Sequence, residues 1–205
     1  MAKEVEYRSY KRSESVLFWK TKEKYGELSN MAGGFPLLIN DVRIPSSEAL
    51  YQACKFPHLP ELQKKIIDQS SPLLAKKICK SYERQERGDW YLIRTKVMRW
   101  CLRVKAVQNW LKFTPVLLNT GDLSIVEYSE KDDFWGALPW DSELLNGRNV
   151  LGRLLMELRE EVKKNTQKSD WEIGLPKIND FKIFGREIDP PKDSNGIDND
   201  FSDIW

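Results

Sequence analysis

Prolines divide the middle of this chain into a series of short helices. Proline inside a helix removes a hydrogen bond, and it disfavours helical geometry in the residue before it. Pro45, Pro57, Pro60 and Pro72 therefore predict where helices begin and end. Apolar residues also recur at helical spacing after Asp89 and after Gly147. We predict helices from the serine-capped start Pro45-Ser46-Ser47-Glu48 to about Phe56, from about Pro60 to Gln69, from Pro72 to Ser81, from Asp89 to Lys112 and from Gly147 to Lys164.

Short apolar runs outside these helices predict a few strands. Residues 16–19 read as a buried strand, and residues 35–44 read as a hairpin that turns at Asn40-Asp41. Ile125-Val126 fits either a short strand or part of a helix, and residues 171–183 fit extended structure. The expected fold class is α+β: a mainly helical single domain with a few short strands near the N-terminus.

Composition narrows the class of protein. The chain has 205 residues, of which 40% are hydrophobic, enough for one globular domain with a buried core. It lacks the roughly 18 consecutive apolar residues of a membrane span, and its first residues lack the apolar run of a signal peptide. The three cysteines are far apart with no C-x-x-C spacing, which favours buried free thiols. We therefore expect a cytoplasmic protein with no membrane partner.

The single histidine restricts the chemistry. His58 lies between Pro57 and Pro60, where it is expected to be part of a turn between two helices. A catalytic triad or a multi-histidine metal site has no other histidine to use, and no other metal-ligand cluster is visible. We expect no metal and no cofactor. Acid–base chemistry would then depend on carboxylates, lysines or tyrosines.

Charge is unevenly distributed along the chain. Residues 187–205 carry six acidic residues against Lys192, a net charge of −5, which leaves +7 on the rest of a chain whose total is +2. The body is therefore expected to prefer anionic partners. The tail is polar and carries two prolines, so it is expected to be a poor core former. We divide the chain into a domain at 1–165 and an acidic, partly extended C-terminal extension at 166–205.

A row of polar residues is predicted on the first helix. At about 100° per residue, Gln52 and Lys55 lie within about 40° of Glu48 around the helix axis. This places a carboxylate, an amide and an ammonium on one face. The row fits a solvated helix face. The alternative is a polar row inside a cleft, where low dielectric would tune the carboxylate and the ammonium for proton transfer or nucleophilic attack.

Three other segments carry groups suited to binding. Tyr25 to Asn30 form a loop of small and hydrogen-bonding residues that also fits a plain turn. Asp132-Asp133-Phe134-Trp135-Gly136 places acids beside an aromatic surface on which a base could stack, although tryptophan is more often a core residue. The glycine-containing start of the last helix, 147–152, could hold phosphate through free N–H groups or could be a simple cap.

Taken in order, these segments resemble the YbiA-like, or NADAR, family over about residues 16–164. The motifs that carry the resemblance are Tyr25-Gly26-Glu27-Leu28-Ser29-Asn30, Pro45-Ser46-Ser47-Glu48, Tyr51-Gln52-Ala53-Cys54-Lys55-Phe56, Ser71-Pro72, Trp90, Val97-Met98, Lys105, Gln108, Leu118-Asn119-Thr120, Val126-Glu127, Asp133-Phe134-Trp135-Gly136 and the run from Gly147 to Arg159. Each piece is weak by itself, but the ordered set is specific.

The resemblance implies an enzyme and a substrate class. It implies a compact, mostly helical domain that hydrolyses N-glycosidic bonds of phosphorylated ribosides. The substrates of such a domain are either riboflavin-pathway ribosylamino-pyrimidine phosphates or ADP-ribose attached to guanine bases. The resemblance also makes the cleft interpretation of the polar row the favoured one.

Residue roles follow from the chemistry of a ribosyl C–N bond, which breaks through an oxocarbenium-like state. Glu48 is expected to stabilise this state and to accept a water proton. Lys55 either contacts ribose hydroxyls or phosphate, or attacks the anomeric carbon. Asp133 is expected to orient the ribose or the water, and Trp90 and Trp135 to sandwich the base. The full set of expected substrate-binding residues is Gly26, Asn30, Gln52, Trp90, Trp135, Gly136, Arg148 and Asn149.

Two departures from the family pattern bear on the substrate. Ala49 stands where the family usually has a histidine, but this position points about 100° away from Glu48, which argues for a structural role of the histidine. Residues 137–146 replace a glycine-rich stretch by bulkier residues, which is expected to reshape the substrate rim.

Two alternatives stay open on the sequence alone. The first concerns the substrate, because free ribosylamino phosphates and ADP-ribosylated guanine on nucleotides or nucleic acid both carry phosphate that a +7 body would attract. The second is a different class of protein, a non-catalytic module that binds NAD or ADP-ribose in the same cleft.

Overall fold

The computed structural model describes residues 6–165 and 172–191. Its helices are α1 (Ser47–Ala53), α2 (Pro60–Ile67), α3 (Pro72–Ser81), α4 (Trp90–Gln108), α5 (Trp110–Leu118) and α6 (Val150–Lys164). Its strands are β1 (Arg8–Lys11), β2 (Ser15–Phe18), β3 (Leu37–Ile39), β4 (Val42–Ile44), β5 (Ser124–Glu127), β6 (Leu138–Pro139), β7 (Leu144–Gly147), β8 (Lys182–Ile183) and β9 (Arg186–Glu187). The mainly helical α+β class is confirmed, and short strands also lie in the C-terminal half of the chain.

The described residues form two compact units. The first unit contains residues 6–32 and 111–165, and the second unit contains residues 33–110 and 172–191. In the described part of the chain, no helix is long and apolar enough to cross a membrane.

In the first unit, two small sheets position the last helix. Strands β1, β7 and β6 form an antiparallel sheet, and β2 pairs in parallel with β5. Tyr10, Val126, Ala137 and Leu145 form a buried apolar cluster between these strands. Helix α6 packs against β5 at Gly152, where a Cβ atom would collide with the carbonyl oxygen of Ile125. The glycine therefore permits a close approach of helix and strand.

In the second unit, a hairpin precedes a group of packed helices. Strands β3 and β4 are joined at Asn40 (φ 51°) and Asp41 (φ 63°), the left-handed pair that a two-residue hairpin turn requires. The predicted Asn-Asp hairpin is thus confirmed. Helix α1 then packs against α2, α3 and α4, and all seven of its residues are buried.

Two predicted helix boundaries are wrong for a local reason. The helix expected at 89–112 is divided into α4 and α5 at Asn109, whose side chain donates to the carbonyl oxygens of Pro36 and Lys105. The helix expected from Gly147 begins at Val150, because Gly147 is still in strand β7 and Asn149 has a left-handed φ of 45°. A period-based prediction does not register the interruption at Asn109, since the apolar spacing continues through it.

The C-terminal extension contributes more to packing than its composition indicates. Strands β8 and β9 form a hairpin in the second unit, and four apolar side chains of the extension are buried. These are Ile173, Phe181, Ile183 and Ile188. The prediction that the acidic tail is a poor core former is wrong for Ile188, whereas Phe201 and Trp205 lie outside the described residues.

Candidate active site

Helix α1 is capped as predicted and is buried on every side. The Oγ atom of Ser46 accepts a hydrogen bond from the backbone N–H of Ala49 at 3.2 Å, which satisfies one free donor of the first turn. Glu48 is 5% exposed and Gln52 is 3% exposed. This burial contradicts the interpretation of the polar row as a solvated helix face.

Glu48 and Gln52 form a buried pair one helical turn apart. The Nε2 atom of Gln52 donates to Oε1 of Glu48 at 2.7 Å. The Oε1 atom of Gln52 is buried and has no hydrogen-bond partner among the described residues. A buried acceptor without a donor is uncommon in folded proteins and is typical of a place where a ligand or water completes the network.

Lys55 lies beyond the end of the helix, so the predicted single helical row is wrong at this position. Helix α1 ends at Ala53 with Cys54 as the C-cap, and the Nζ atom of Lys55 lies 2.8 Å from Oε1 of Glu86. The side chains of this ion pair are 15% and 12% exposed. Glu86 was not predicted from the sequence, because it lies 31 positions from Lys55.

Trp90, the first residue of α4, is buried beside the ion pair. Its ring centroid lies 5.0 Å from that of Tyr51 at an interplanar angle of 56°, and the Nζ atom of Lys55 lies 5.4 Å from the Trp90 ring centroid. This is a cation–π distance. Trp90 therefore contacts two groups at the end of α1, while its role toward a base stays a prediction.

The buried groups around Glu48 titrate abnormally. Burial raises the pKa of Tyr51 well above its usual value, the negative charge of Glu48 raises it further, and Arg94 opposes this rise. Burial likewise raises the pKa of Cys79 to about 12, with Lys55 opposing and the charges of Glu48 and Glu86 adding to the shift. Both pKa shifts arise mainly from burial, with a contribution from the negative charges of Glu48 and Glu86. A fixed carboxylate in a poorly solvated place stabilises a developing positive charge more strongly than a carboxylate in water.

The first unit holds the other predicted site residues. Gly26 begins a short 3₁₀ turn, Gly26–Leu28, where a Cβ atom would lie 2.5 Å from the carbonyl oxygen of Thr21. Asn30 follows this turn and is buried. A Cβ atom on Gly136 would lie 2.6 Å from the carbonyl oxygen of Glu127. Both glycines are thus explained by close backbone packing within this unit.

Asp133, Trp135 and Arg148 are only partly buried. The Nη1 atom of Arg148 lies 3.3 Å from Oδ2 of Asp133, and these side chains are about a third and two fifths exposed. The Trp135 ring meets the Phe134 ring edge-on, with centroids 5.0 Å apart. Because the pair is partly exposed, Arg148 is accessible to an anion and Asp133 is accessible to a ribose.

The start of helix α6 has no free N–H groups at residues 148–151. The N–H groups of Arg148, Asn149, Val150 and Leu151 donate to the carbonyl oxygens of Asp133, Gly136, Phe134 and Trp135, respectively, at 2.7–3.0 Å. These four N–H groups are therefore not free to hold phosphate, and the side chain of Asn149 makes no capping hydrogen bond to the helix.

The side chain of Asn149 forms hydrogen bonds with the backbone of strand β5. Its Oδ1 atom accepts from the backbone N–H of Glu127 at 3.1 Å, and its Nδ2 atom donates to the carbonyl oxygen of Ile125 at 2.8 Å. Asn149 is fully buried. The structure thus uses this residue to join α6 to strand β5.

The predicted site residues are divided between the two units. Glu48, Gln52, Lys55 and Trp90 belong to the second unit, and Gly26, Asn30, Asp133, Trp135, Gly136, Arg148 and Asn149 belong to the first. Within the second unit, the structure brings all four together and adds Glu86, Tyr51 and Cys79.

The fold is mainly helical α+β, and a buried carboxylate, amide and ammonium lie on its first helix and just after it. Together these features define a class of protein. The NADAR domain family model matches residues 17–163, and the chain belongs to this family. The resemblance predicted from the sequence is confirmed.

The chain is similar to proteins of named activity. It is 36% identical over 148 residues to the N-glycosidase YbiA of Escherichia coli, covering 72% of this chain and 88% of that protein. It is 37% identical over 163 residues to a riboflavin biosynthesis protein of Vibrio vulnificus, covering 77% of this chain but only 41% of that longer protein. The NMR structure of E. coli YbiA superimposes with a TM-score of 0.64 at 32% identity and covers 74% of this chain and 86% of that one.

Proposed function

We propose that the protein is an N-glycosidase that hydrolyses the bond between a base and the ribose of a phosphorylated riboside. Its relatives bear the name N-glycosidase, and a hydrolase acting on N-glycosyl compounds is the enzyme class of this chain. The observation that carries the proposed site is the buried Glu48 carboxylate, held by the Gln52 amide at 2.7 Å.

The proposed reaction is hydrolysis of the C1′–N bond. This bond breaks, its electron pair goes to the base nitrogen, and this nitrogen takes up a proton from solvent. The oxygen of a water molecule bonds to C1′ and loses a proton to Glu48, which then releases it to solvent. The negative charge of Glu48 stabilises the oxocarbenium-like state between these events, and low solvation increases that stabilisation.

Lys55 is proposed to act as a hydrogen-bond donor to the ribose hydroxyls or the phosphate. Its ammonium is directed at Glu86 at 2.8 Å, so one donor is used for the ion pair and two others are available to a ligand. This geometry supports binding by Lys55 more than attack on C1′, because attack requires a free amine lone pair.

Gln52 is proposed to accept a hydrogen bond from the substrate. Its Oε1 atom is buried without a partner among the described residues, while its Nε2 atom is occupied by Glu48. A ribose hydroxyl would supply the missing donor at the carboxylate that acts on C1′. Asp133, Trp135 and Arg148 stay candidates for binding the ribose, base and phosphate.

Two substrate classes are proposed: ADP-ribose attached to guanine bases, and riboflavin-pathway ribosylamino-pyrimidine phosphates. The second class is supported by the name of the Vibrio vulnificus relative. Both classes carry phosphate, which suits a chain body of net charge +7.

The test measures release of ribose 5-phosphate or ADP-ribose from ribosylamino-pyrimidine phosphates, ADP-ribosyl-guanosine, ADP-ribosylated DNA and NAD. We expect release from one class, with a loss of about 10²–10⁴-fold in kcat for Glu48→Gln, since a positioned acid–base group contributes this much. Glu61→Gln, on the first turn of α2, is a matched control that should keep full activity. A wild-type protein that binds ADP-ribose but releases nothing would support a binding module.

A further inference from the structure

The C-terminal segment 172–191 lies outside the family match and contacts the rest of the second unit at several points. Asn40, Gln63 and Arg87 form hydrogen bonds with the segment, and Trp100 packs against it. Arg87 and Gln63 also donate hydrogen bonds to the backbone of residues 53–55.

Arg87 is the first of these links. Its Nη2 and Nη1 atoms donate to the carbonyl oxygens of Asn179 at 2.6 Å and Asp180 at 3.1 Å. Its Nε and Nη2 atoms also donate to the two carboxylate oxygens of Asp89 at 2.6 and 3.1 Å. The backbone N–H of Arg87 donates to the carbonyl oxygen of Lys55 at 2.9 Å. Arg87 therefore holds the backbone next to Glu86 against the backbone of Lys55 and against the C-terminal segment.

Gln63 is the second link. Its Nε2 atom donates to the carbonyl oxygens of Ala53 at 3.1 Å and Lys182 at 2.9 Å, and its Oε1 atom accepts from the backbone N–H of Phe184 at 2.8 Å. Gln63 is completely buried. It thus connects the β8–β9 hairpin to the last residue of α1, two positions before Lys55.

We propose that the C-terminal segment is a positioning element for the Lys55–Glu86 ion pair and that Arg87 is the positioning residue. The proposal rests on the function proposed above for Lys55. The planar guanidinium meets two carbonyls and a carboxylate at once, which a lysine ammonium cannot reproduce in the same plane. Loss of this contact frees residues 86–87, and an error of about 1 Å in a reacting group can cost about 10²-fold in rate.

The first experiment separates positioning from general destabilisation. Arg87→Lys is expected to lower kcat by about 10–100-fold with KM changed less than about threefold, because the ion pair is misplaced while the substrate still binds. Asn40→Gly is the matched control. It removes the contacts to Glu187 and Asp189 at the far end of the segment, and glycine tolerates the left-handed φ of 51°. This control should keep kcat within about twofold. Equal losses in both variants, or none in Arg87→Lys, would overturn the proposal.

The second experiment does not depend on turnover. Acetylation of Lys55 by an N-hydroxysuccinimide ester, followed by peptide mass spectrometry, reports how firmly the ammonium is held. We expect Arg87→Lys to raise the labelling rate of Lys55 at least about fivefold over wild type, and Asn40→Gly to leave it unchanged. If wild type cleaves none of the substrates, the proposed function fails and this labelling alone decides the positioning proposal. Unchanged labelling in Arg87→Lys would refute it.

Asp89→Asn provides a second variant if Arg87→Lys does not fold. The change weakens the carboxylate side of the Arg87 contact and leaves the bonds to Asn179 and Asp180 in place. We expect the same direction in both measurements with a smaller size. Asp89→Asn indistinguishable from wild type in kcat and in labelling would contradict the proposal.

Discussion

Two regions of this molecule carry similar polar residues but use them differently. On α1 and just after it, Glu48, Gln52 and Lys55 are largely buried, as is Glu86, and Gln52 keeps an acceptor without a partner among the described residues. At the start of α6, the N–H groups of residues 148–151 and both polar atoms of Asn149 are bonded to backbone groups of the same unit.

The difference separates residues that build the fold from residues with capacity left for a ligand. The N–H groups of residues 148–151 and the side chain of Asn149 have partners, so a ligand that bound them would have to break existing bonds. Around α1, the charged groups of Glu48, Lys55 and Glu86 and the free acceptor of Gln52 are poorly solvated. Burying such groups costs folding free energy and is typical of functional sites. The four changes below test this difference.

Among these four changes, the largest effect is expected at the Lys55–Glu86 ion pair. Glu86→Ala should lower kcat by about 10²–10³-fold, since it displaces the ammonium proposed to contact the substrate. It should also lower the free energy of unfolding by about 2–3 kcal/mol, because a largely buried charge loses its partner. The double change Lys55→Met with Glu86→Leu should restore stability to urea without restoring activity. Recovery of activity in the double variant would show that the pair is structural.

Asn149→Ala is expected to act chiefly on stability. The change leaves the backbone N–H of Glu127 and the carbonyl of Ile125 without their partners, and alanine tolerates the φ of 45° poorly. We expect the free energy of unfolding to fall by about 2–4 kcal/mol, measured by urea denaturation. A variant of wild-type stability with a much higher KM would instead assign Asn149 to substrate binding.

Gln52→Met should act on activity as well as on stability. The two side chains have similar volume, but buried Glu48 loses its Nε2 donor, so the unfolding free energy should fall by about 1–3 kcal/mol. The specificity constant kcat/KM should fall at least about tenfold, since the acceptor proposed for the substrate is removed. Steady-state kinetics and urea denaturation of the same sample check both. A large loss of stability with normal kinetics would make Gln52 a purely structural residue.

The smallest of the four effects is expected from ionisation of the Cys79 thiol, which changes the free energy of unfolding only at alkaline pH. Its pKa is about 12 in the folded protein against 9.0 for an ordinary thiol. The unfolded chain therefore releases this proton above pH 9 while the folded chain keeps it up to about pH 12. Stability from this group is complete below pH 9 and is lost as the pH rises through that window. We expect the urea midpoint to fall there, with a shallower fall in Cys79→Ala. Identical slopes would contradict this contribution.

Local features of the fold and the site were predictable from the sequence. The Asn40-Asp41 turn, the Ser46 cap and the Glu48–Gln52 pair each involve residues within four positions of one another. Their geometry follows from backbone preferences and helical spacing alone. The ends of α1 and α4 were less predictable, because the apolar pattern continues past both.

Longer-range partners were not predictable. Lys55 pairs with Glu86, 31 positions away, and Arg87 bonds to Asn179 and Asp180, which are 92 and 93 positions away. Many acids could have met Lys55 in the folded chain, and no periodicity singles out one of them. Only the packing of the second unit selects the partner.

The sequence by itself determined the family, the helical character and the carboxylate, amide and ammonium that lie on α1 and just after it. These features depend on local order along the chain. The tertiary structure decided which polar groups bond to other parts of the fold and which remain able to bond a ligand. It buried Glu48, bonded Asn149 to strand β5 and brought the C-terminal segment to Arg87. Burial and hydrogen-bond partners arise from contacts between distant parts of the chain, and a pattern of residue types does not contain them.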